Sequence, residues 1–149
     1  METRISRGAL DEIERHAEEC YPEECCGVVL DGDDVRRVTN VQNHLHARDP
    51  KTYPRDARIA YFMEPRELDA ILREVENGRR IVVFYHSHPD HDAYFSEEDK
   101  TAATPLGEPS WPEAGQLVVS VRAGKTAGRL LVRWDPAAAD FVEAPLTVA

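Results

Sequence analysis

The stretch from Ile81 to Asp99 constrains this chain most. Ile81-Val82-Val83-Phe84-Tyr85 is a continuous apolar run, and it ends on His86-Ser87-His88. A run of this length, rich in β-branched and aromatic residues, predicts a buried strand. Side chains at i and i+2 of a strand share a face. If the strand persists to His88, then His86 and His88 project side by side and Ser87 points the other way. A loop with Pro89 follows, and Ser96-Glu97-Glu98-Asp99 reads as a helix start, with Asp99 one turn in and able to reach back. Two imidazoles and one carboxylate that converge can hold one divalent metal and leave a fourth tetrahedral position open. That composition belongs to catalytic zinc sites rather than closed structural ones. Simpler readings stand beside it. Ser96 with Asp99 is also the pattern of a plain helix N-cap with an acidic third residue. The histidines can equally be polar residues at the end of a strand.

The remaining chemistry-bearing residues are fewer. Glu24 stands just before the apolar stretch Cys25 to Leu30. A carboxylate there is partly desolvated, which raises its pKa towards that of a useful base. The alternative is an exposed glutamate at a strand start, and Glu23 offers a competing register. Three cysteines, Cys20, Cys25 and Cys26, fall within seven positions. An odd, clustered set does not suggest a disulfide framework, and strand cysteines are usually buried and inert. His44-Leu45-His46 repeats the His-x-His spacing but lacks a strand before it, so it reads as loop surface or as part of a groove wall. His91 and Asp92 lie inside the loop after Pro89, as alternative metal contacts or as solvent-facing residues.

The frame around these residues is regular. Ser6 is an N-cap for a helix whose apolar face is Leu10, Ile13, Ala17 and Cys20, and Pro22 stops it. Asp31 to Asp34 is a turn between a strand ending at Leu30 and a returning strand over 35–41, a hairpin. The acidic turn lacks the spacing of a calcium loop. Residues 42–58 are polar, with His44, His46, Asp49, Pro50 and Pro54, and predict a loop. Pro65 opens a second helix with Leu68, Ile71, Leu72 and Val75 on one face, and Gly78 ends it. After the short helix at Asp99, residues 106–114 predict a loop in which Trp111 packs or flanks a cleft. Strands are expected over 116–122 and 129–134, with a last one over 141–147. The order predicts an α/β or α+β fold with a mixed sheet, as a single domain over 1–149.

Charge narrows the partners. Formal net charge is −10, spread along the chain, so nucleic acid is not an expected partner. No apolar stretch approaches a membrane span, and no signal core follows Met1-Glu2-Thr3-Arg4. The expectation is a cytoplasmic protein without membrane contact.

His86-Ser87-His88, seven residues, Ser96, two residues, Asp99 resembles the signature of the JAMM/MPN (Mov34/PAD-1-like) zinc metalloproteases, in the small stand-alone prokaryotic form. Upstream, Pro22, Glu24, Cys26 and Gly27 resemble the arrangement around that family's catalytic glutamate, which favours Glu24 over Glu23. One departure is Phe95, where members often carry proline before the serine. The resemblance covers nearly the whole chain. It implies an MPN-like mixed sheet sandwiched by helices, with a cytidine-deaminase-like architecture also open. It implies one Zn²⁺ per chain on His86, His88 and Asp99, with Glu24 as proton carrier and Ser96 as donor to the oxyanion. The implied reaction is hydrolysis of the peptide or isopeptide bond after the C-terminal Gly-Gly of a ubiquitin-like, sulfur-carrier protein, and a homodimer is the assembly the family suggests. The alternative is a catalytically silent MPN-type scaffold that only binds partners. A metal-storage or metal-sensing module is a further rival, and it would need neither Glu24 nor an oxyanion donor.

Overall fold

The computed structural model describes residues 2–149; Met1, the first residue of the expected 1–149 domain, lies outside them. The chain runs β1 (Thr3–Ile5), α1 (Arg7–Cys20), β2 (Cys26–Leu30), β3 (Asp34–Val38), α2 (Gln42–Arg48), α3 (Pro65–Glu76), β4 (Ile81–Pro89), α4 (Glu97–Ala103), β5 (Gly115–Arg122), β6 (Lys125–Asp135), β7 (Asp140–Glu143) and β8 (Leu146–Val148). Among the described residues, six strands form a mixed sheet in the order β3-β2-β4-β5-β6-β7, and β1 pairs with β8. Only β4 and β5 run parallel within the larger sheet. No described helix is long and apolar enough to cross a membrane.

Local chemistry sets the boundaries. The Ser6 hydroxyl accepts from the Ala9 N–H and caps α1, and Tyr21 leaves the helix in an extended conformation ahead of Pro22. Pro65 opens α3, where its missing N–H costs nothing, and Gly78 takes up a φ of 106° just past the helix end. The β2–β3 turn uses Gly32 and Asp33, both at positive φ.

The sheet has two differently furnished faces. On one, Leu10, Ile13 and Ala17 of α1 pack with Val29, Val83, Tyr85, Leu117 and Val119. On the other, Ile71 of α3 packs with Cys26, Val28, Leu30 and Val38. Cross-strand register puts Cys26 opposite His86 and Gly27 opposite Tyr85. A Cβ on Gly27 would lie 2.4 Å from the Tyr85 ring, so only glycine lets that ring cross. The Tyr85 hydroxyl then meets His16 Nδ1 of α1 at 2.7 Å.

Three expectations change, and one strand is added. Residues 42–58, read as a loop, contain α2, a helix of seven residues with no side-chain cap. Leu45 is the single aliphatic residue longer than alanine in it, so no apolar stripe signals it. The strand expected over 129–134 begins at Lys125, because the turn is only Ala123-Gly124, both at positive φ. The strand expected over 141–147 is split at Ala144-Pro145 into β7, which extends the large sheet, and β8, which leaves it. A proline cannot donate to the ladder, which is where the pairing changes partner. Finally, β1 carries no sequence signal, because three residues gain strand structure only by pairing with β8 at the far end of the chain.

Candidate metal centre

The alternation of β4 builds the site. Phe84, His86 and His88 point to the face that carries α3, while Val83 and Tyr85 point to α1. Ser87, as its position requires, turns away and accepts the Cys25 N–H at 2.8 Å. Both histidines are buried. Asp99 arrives from the first turn of α4 and reaches them: Oδ2 lies 3.1 Å from His86 Nε2 and 3.5 Å from His88 Nε2. The two Nε2 atoms are 3.2 Å apart.

The two readings of Ser96 and Asp99 turn out to be compatible. Asp99 N–H donates to Ser96 Oγ and Ser96 N–H donates to Asp99 Oδ2, each at 3.0 Å, a full capping box. The same carboxylate oxygen faces both histidines, so the cap fixes it where the ring nitrogens converge. Burial pushes the Asp99 carboxyl up, but the His86 and His88 imidazoles beside it outweigh that and hold it well below the usual carboxylate range. Phe95, in the place of the family's proline, packs edge-on against Phe141 at 4.9 Å and anchors the loop ahead of the cap.

These three groups form a cluster that can hold a metal ion. A tetrahedral zinc with bonds of about 2.0–2.1 Å sets its ligand atoms about 3.3 Å apart, and the three observed spacings of 3.1, 3.2 and 3.5 Å bracket that figure. Tautomer chemistry agrees. His88 Nδ1 lies 3.0 Å from the backbone carbonyl of Asp92, a pure acceptor, so Nδ1 carries the hydrogen. In its neutral form His88 then presents a lone pair at Nε2, directly facing the Asp99 carboxylate. Two acceptors turned towards one another call for a cation between them, and the carbonyl behind His88 is the usual outer partner of a metal-binding imidazole.

Glu24 lies on the same face. It precedes β2 by two residues and shares the parity of Cys26, the cross-strand partner of His86. It is 6% exposed and lines the same groove as His88, Ser96 and Asp99. Burial, followed by the nearby Asp99 charge, pushes its carboxyl up to about 9. Glu23, the competing register, pairs with Asn43 at the surface side. The groove, about 640 Å³, runs along β4 from Phe84 and Trp111 past the histidines to Tyr94 and His91. Trp111 thus both packs, 6.0 Å from Phe84, and flanks the cleft.

Other candidates stay outside. His44 is exposed and His46 Nδ1 meets the Tyr53 carbonyl at 2.7 Å; neither lines the groove. Asp92 offers its backbone to His88 while its carboxylate pairs with Arg122. His91 lines the groove and is not among the three clustered groups. Burial pushes the Cys25 thiol up to about 12 and Cys26 higher still, so neither is a thiolate. The structure also brings in residues that carried no sequence signal. Tyr61 stacks on the His86 ring, with centroids 4.6 Å apart and planes 28° from parallel. Arg55 lines the groove and pairs with Glu98 at 2.5 Å. Both lie in irregular chain between α2 and α3, where no periodicity marks them.

Comparison with known proteins places this geometry. The family described as prokaryotic homologs of the JAB domain matches residues 6–135. Desampylase of Haloferax volcanii is 34% identical over 128 residues, 83% of this chain and 84% of that protein. Tail tip assembly protein K of Escherichia phage N15 is 29% identical over 117 residues, 76% of this chain and 43% of that protein. Among solved structures, a protein of Desulfitobacterium hafniense superposes with a TM-score of 0.67 at 23% identity, covering 98% of this chain and 92% of its own. A JAB1/MPN domain protein of Archaeoglobus fulgidus gives a TM-score of 0.55 at 20% identity, covering 99% and 98%. The chain belongs to the family of prokaryotic homologs of the JAB domain.

Proposed function

We propose that this protein is a zinc-dependent peptidase or isopeptidase that hydrolyses the bond after the C-terminal Gly-Gly of a small ubiquitin-like protein of the sulfur-carrier kind. The observation that carries the reading is the convergence of His86, His88 and Asp99 beside a buried Glu24 in one open groove. The likeness to desampylase supports the substrate class.

In this reading His86 and His88 through Nε2 and Asp99 through Oδ2 would hold one zinc per chain. When bound, zinc supplies Lewis acidity for the scissile carbonyl and an acidified water near neutral pH. Glu24 takes the proton of the attacking water on its carboxylate and delivers it to the leaving amine. Burial and the Asp99 charge together would keep that carboxyl protonated at neutral pH. Positive charge nearby favours the carboxylate, which links loading of the site to readiness of the base. Ser96 Oγ is engaged as acceptor by the Asp99 N–H, which leaves its own hydrogen to donate to the tetrahedral oxyanion. Before substrate arrives Glu98, held from the far side by Arg55, takes that one hydrogen, and the oxyanion displaces Glu98 as its acceptor. The apolar arm of the groove, with Phe84 and Trp111, suits an extended tail whose small terminal residues thread past the histidines.

The alternative of a silent binding scaffold is disfavoured by the complete ligand set and the desolvated Glu24. A metal-storage role leaves Glu24 and the groove without purpose. A single domain over 1–149, a cytoplasmic location and a homodimer complete the proposal. The test is incubation of zinc-loaded protein with Gly-Gly-linked fusions of ubiquitin-like proteins, with and without a chelator. Cleavage after the second glycine that the chelator abolishes is the expected result. Bound zinc without cleavage of any such fusion would favour the scaffold.

A further inference from the structure

We propose that Asn40 is a positioning residue of this site, tying the backbone of Glu24 to the chain segment that lays Tyr61 on His86. Its side-chain amide uses its whole hydrogen-bonding capacity. Nδ2 donates to the Glu24 carbonyl at 2.9 Å and to the Ala60 carbonyl at 3.2 Å. Oδ1 accepts from the N–H groups of Gln42 and Phe62, each at 3.0 Å. Two carbonyls on one side and two N–H groups on the other fix the orientation of the amide, because the flipped form would face acceptor to acceptor and donor to donor.

The four partners belong to three separate pieces of chain. Glu24 lies ahead of β2, Gln42 opens α2, and Ala60 and Phe62 flank Tyr61. Backbone bonds run alongside and join the same pieces. Val41 N–H donates to the Phe62 carbonyl and Glu64 N–H to the Thr39 carbonyl, both at 2.9 Å, around an Asn40–Met63 bridge. Glu24 N–H donates to the Ala57 carbonyl at 2.8 Å. Glu24 is therefore held through its backbone by the segment 57–60, and that segment continues into the ring stacked on His86. Asn40, which does not line the groove, closes this ring of contacts. Together with the Glu24–Ala57 backbone bond, this amide sets the spacing between the proposed base and an imidazole of the metal cluster.

The catalytic consequence rests on the hydrolase reading; the tethering does not. Asn40→Asp keeps both acceptor contacts, removes both donors and sets a carboxylate against two carbonyls. The ligands come from β4 and α4, so zinc affinity, measured by competition with a chromophoric chelator, is expected to stay within about threefold. Turnover of a Gly-Gly-linked fusion is expected to fall by about tenfold to a hundredfold, mostly in kcat, as for a base misplaced by about an ångström. Amide hydrogen exchange is expected to rise in segments 23–26 and 57–63 and to stay unchanged in 81–89. Asn40→Ser, a milder truncation, should show the same pattern more weakly, and it decides the matter if the aspartate variant does not fold. In the unaltered protein the Gln42 and Phe62 amides should be protected together. Exchange of those two amides at unprotected rates would overturn the tether in any variant. So would wild-type kcat in both variants, or a loss of zinc affinity that matches the loss of turnover. If the unaltered protein cleaves no fusion, the hydrolase reading fails, and the exchange pattern alone still decides the tether.

Discussion

The two faces of β4 were made by one alternating sequence and do opposite things. Towards α1 the strand presents Val83 and Tyr85, closed over by Leu10, Ile13 and Ala17. The polar atoms there satisfy one another: the Tyr85 hydroxyl takes His16, and Ser87 takes the Cys25 N–H. Towards the groove it presents Phe84, His86 and His88, with acceptors turned on each other and a carboxyl held above its normal range. One face is settled by packing and paired hydrogen bonds. The other keeps unresolved electrostatic demand in a place that a cation and a substrate can reach. Buried polar groups are costly unless paired, so the groove face carries a free-energy cost that the α1 face offsets.

The largest effect should come from breaking the groove face. His88→Ala removes one of three ligands and is expected to lower zinc affinity by well over the roughly hundredfold that loss of an outer-shell partner brings. Hydrolysis should vanish with it. The fold should survive, since the core that β4 builds with α1 does not include His88. A large loss of thermal stability in the metal-free variant would blur the contrast between faces.

Breaking the other face should do the reverse. Gly27→Ala forces a Cβ to 2.4 Å from the Tyr85 ring and is expected to cost about 1–3 kcal/mol through overpacking, read as a lower denaturation midpoint. Zinc affinity should change little, because the clash lies across the sheet from His86. A variant of unchanged stability would mean that Tyr85 has room to move.

A smaller effect sharpens the comparison through pH. Burial, then the Arg37 charge, lowers the His16 imidazole to about 4, while Glu19 and Glu12 pull weakly the other way. The folded chain thus favours neutral His16, and the unfolded chain protonates it near 6.5. Stability from this group is whole above about pH 6.5 and is lost as pH falls towards 4; the full shift corresponds to about 3 kcal/mol, which solvent screening of a partly open site reduces to the order of 1–2 kcal/mol. His16→Gln should flatten that part of the stability profile. An unchanged profile would place the acid sensitivity elsewhere.

What could be read from the sequence follows the same division. The period-two rule put His86 and His88 together and turned Ser87 away, and the Ser96–Asp99 spacing was legible both as a cap and as a carboxylate reaching back towards the histidines. Ser6, Pro22, Pro65 and Gly78 marked their boundaries by local chemistry that needs no partner. Asn40 and Tyr61 escaped because their roles are made by neighbours about 15 to 25 residues away, through contacts that leave no period. The helix α2 escaped because it has no apolar stripe, and β1 because its partner is the other end of the chain.

The central claim is that Glu24 moves protons while three other groups hold the metal. The direct measurement is zinc binding and fusion cleavage in Glu24→Gln, side by side with the unaltered chain. Zinc bound one per chain with unchanged affinity, and cleavage slowed by about 10² to 10⁴, is the predicted result. Full cleavage by Glu24→Gln, or loss of its zinc, would contradict the account.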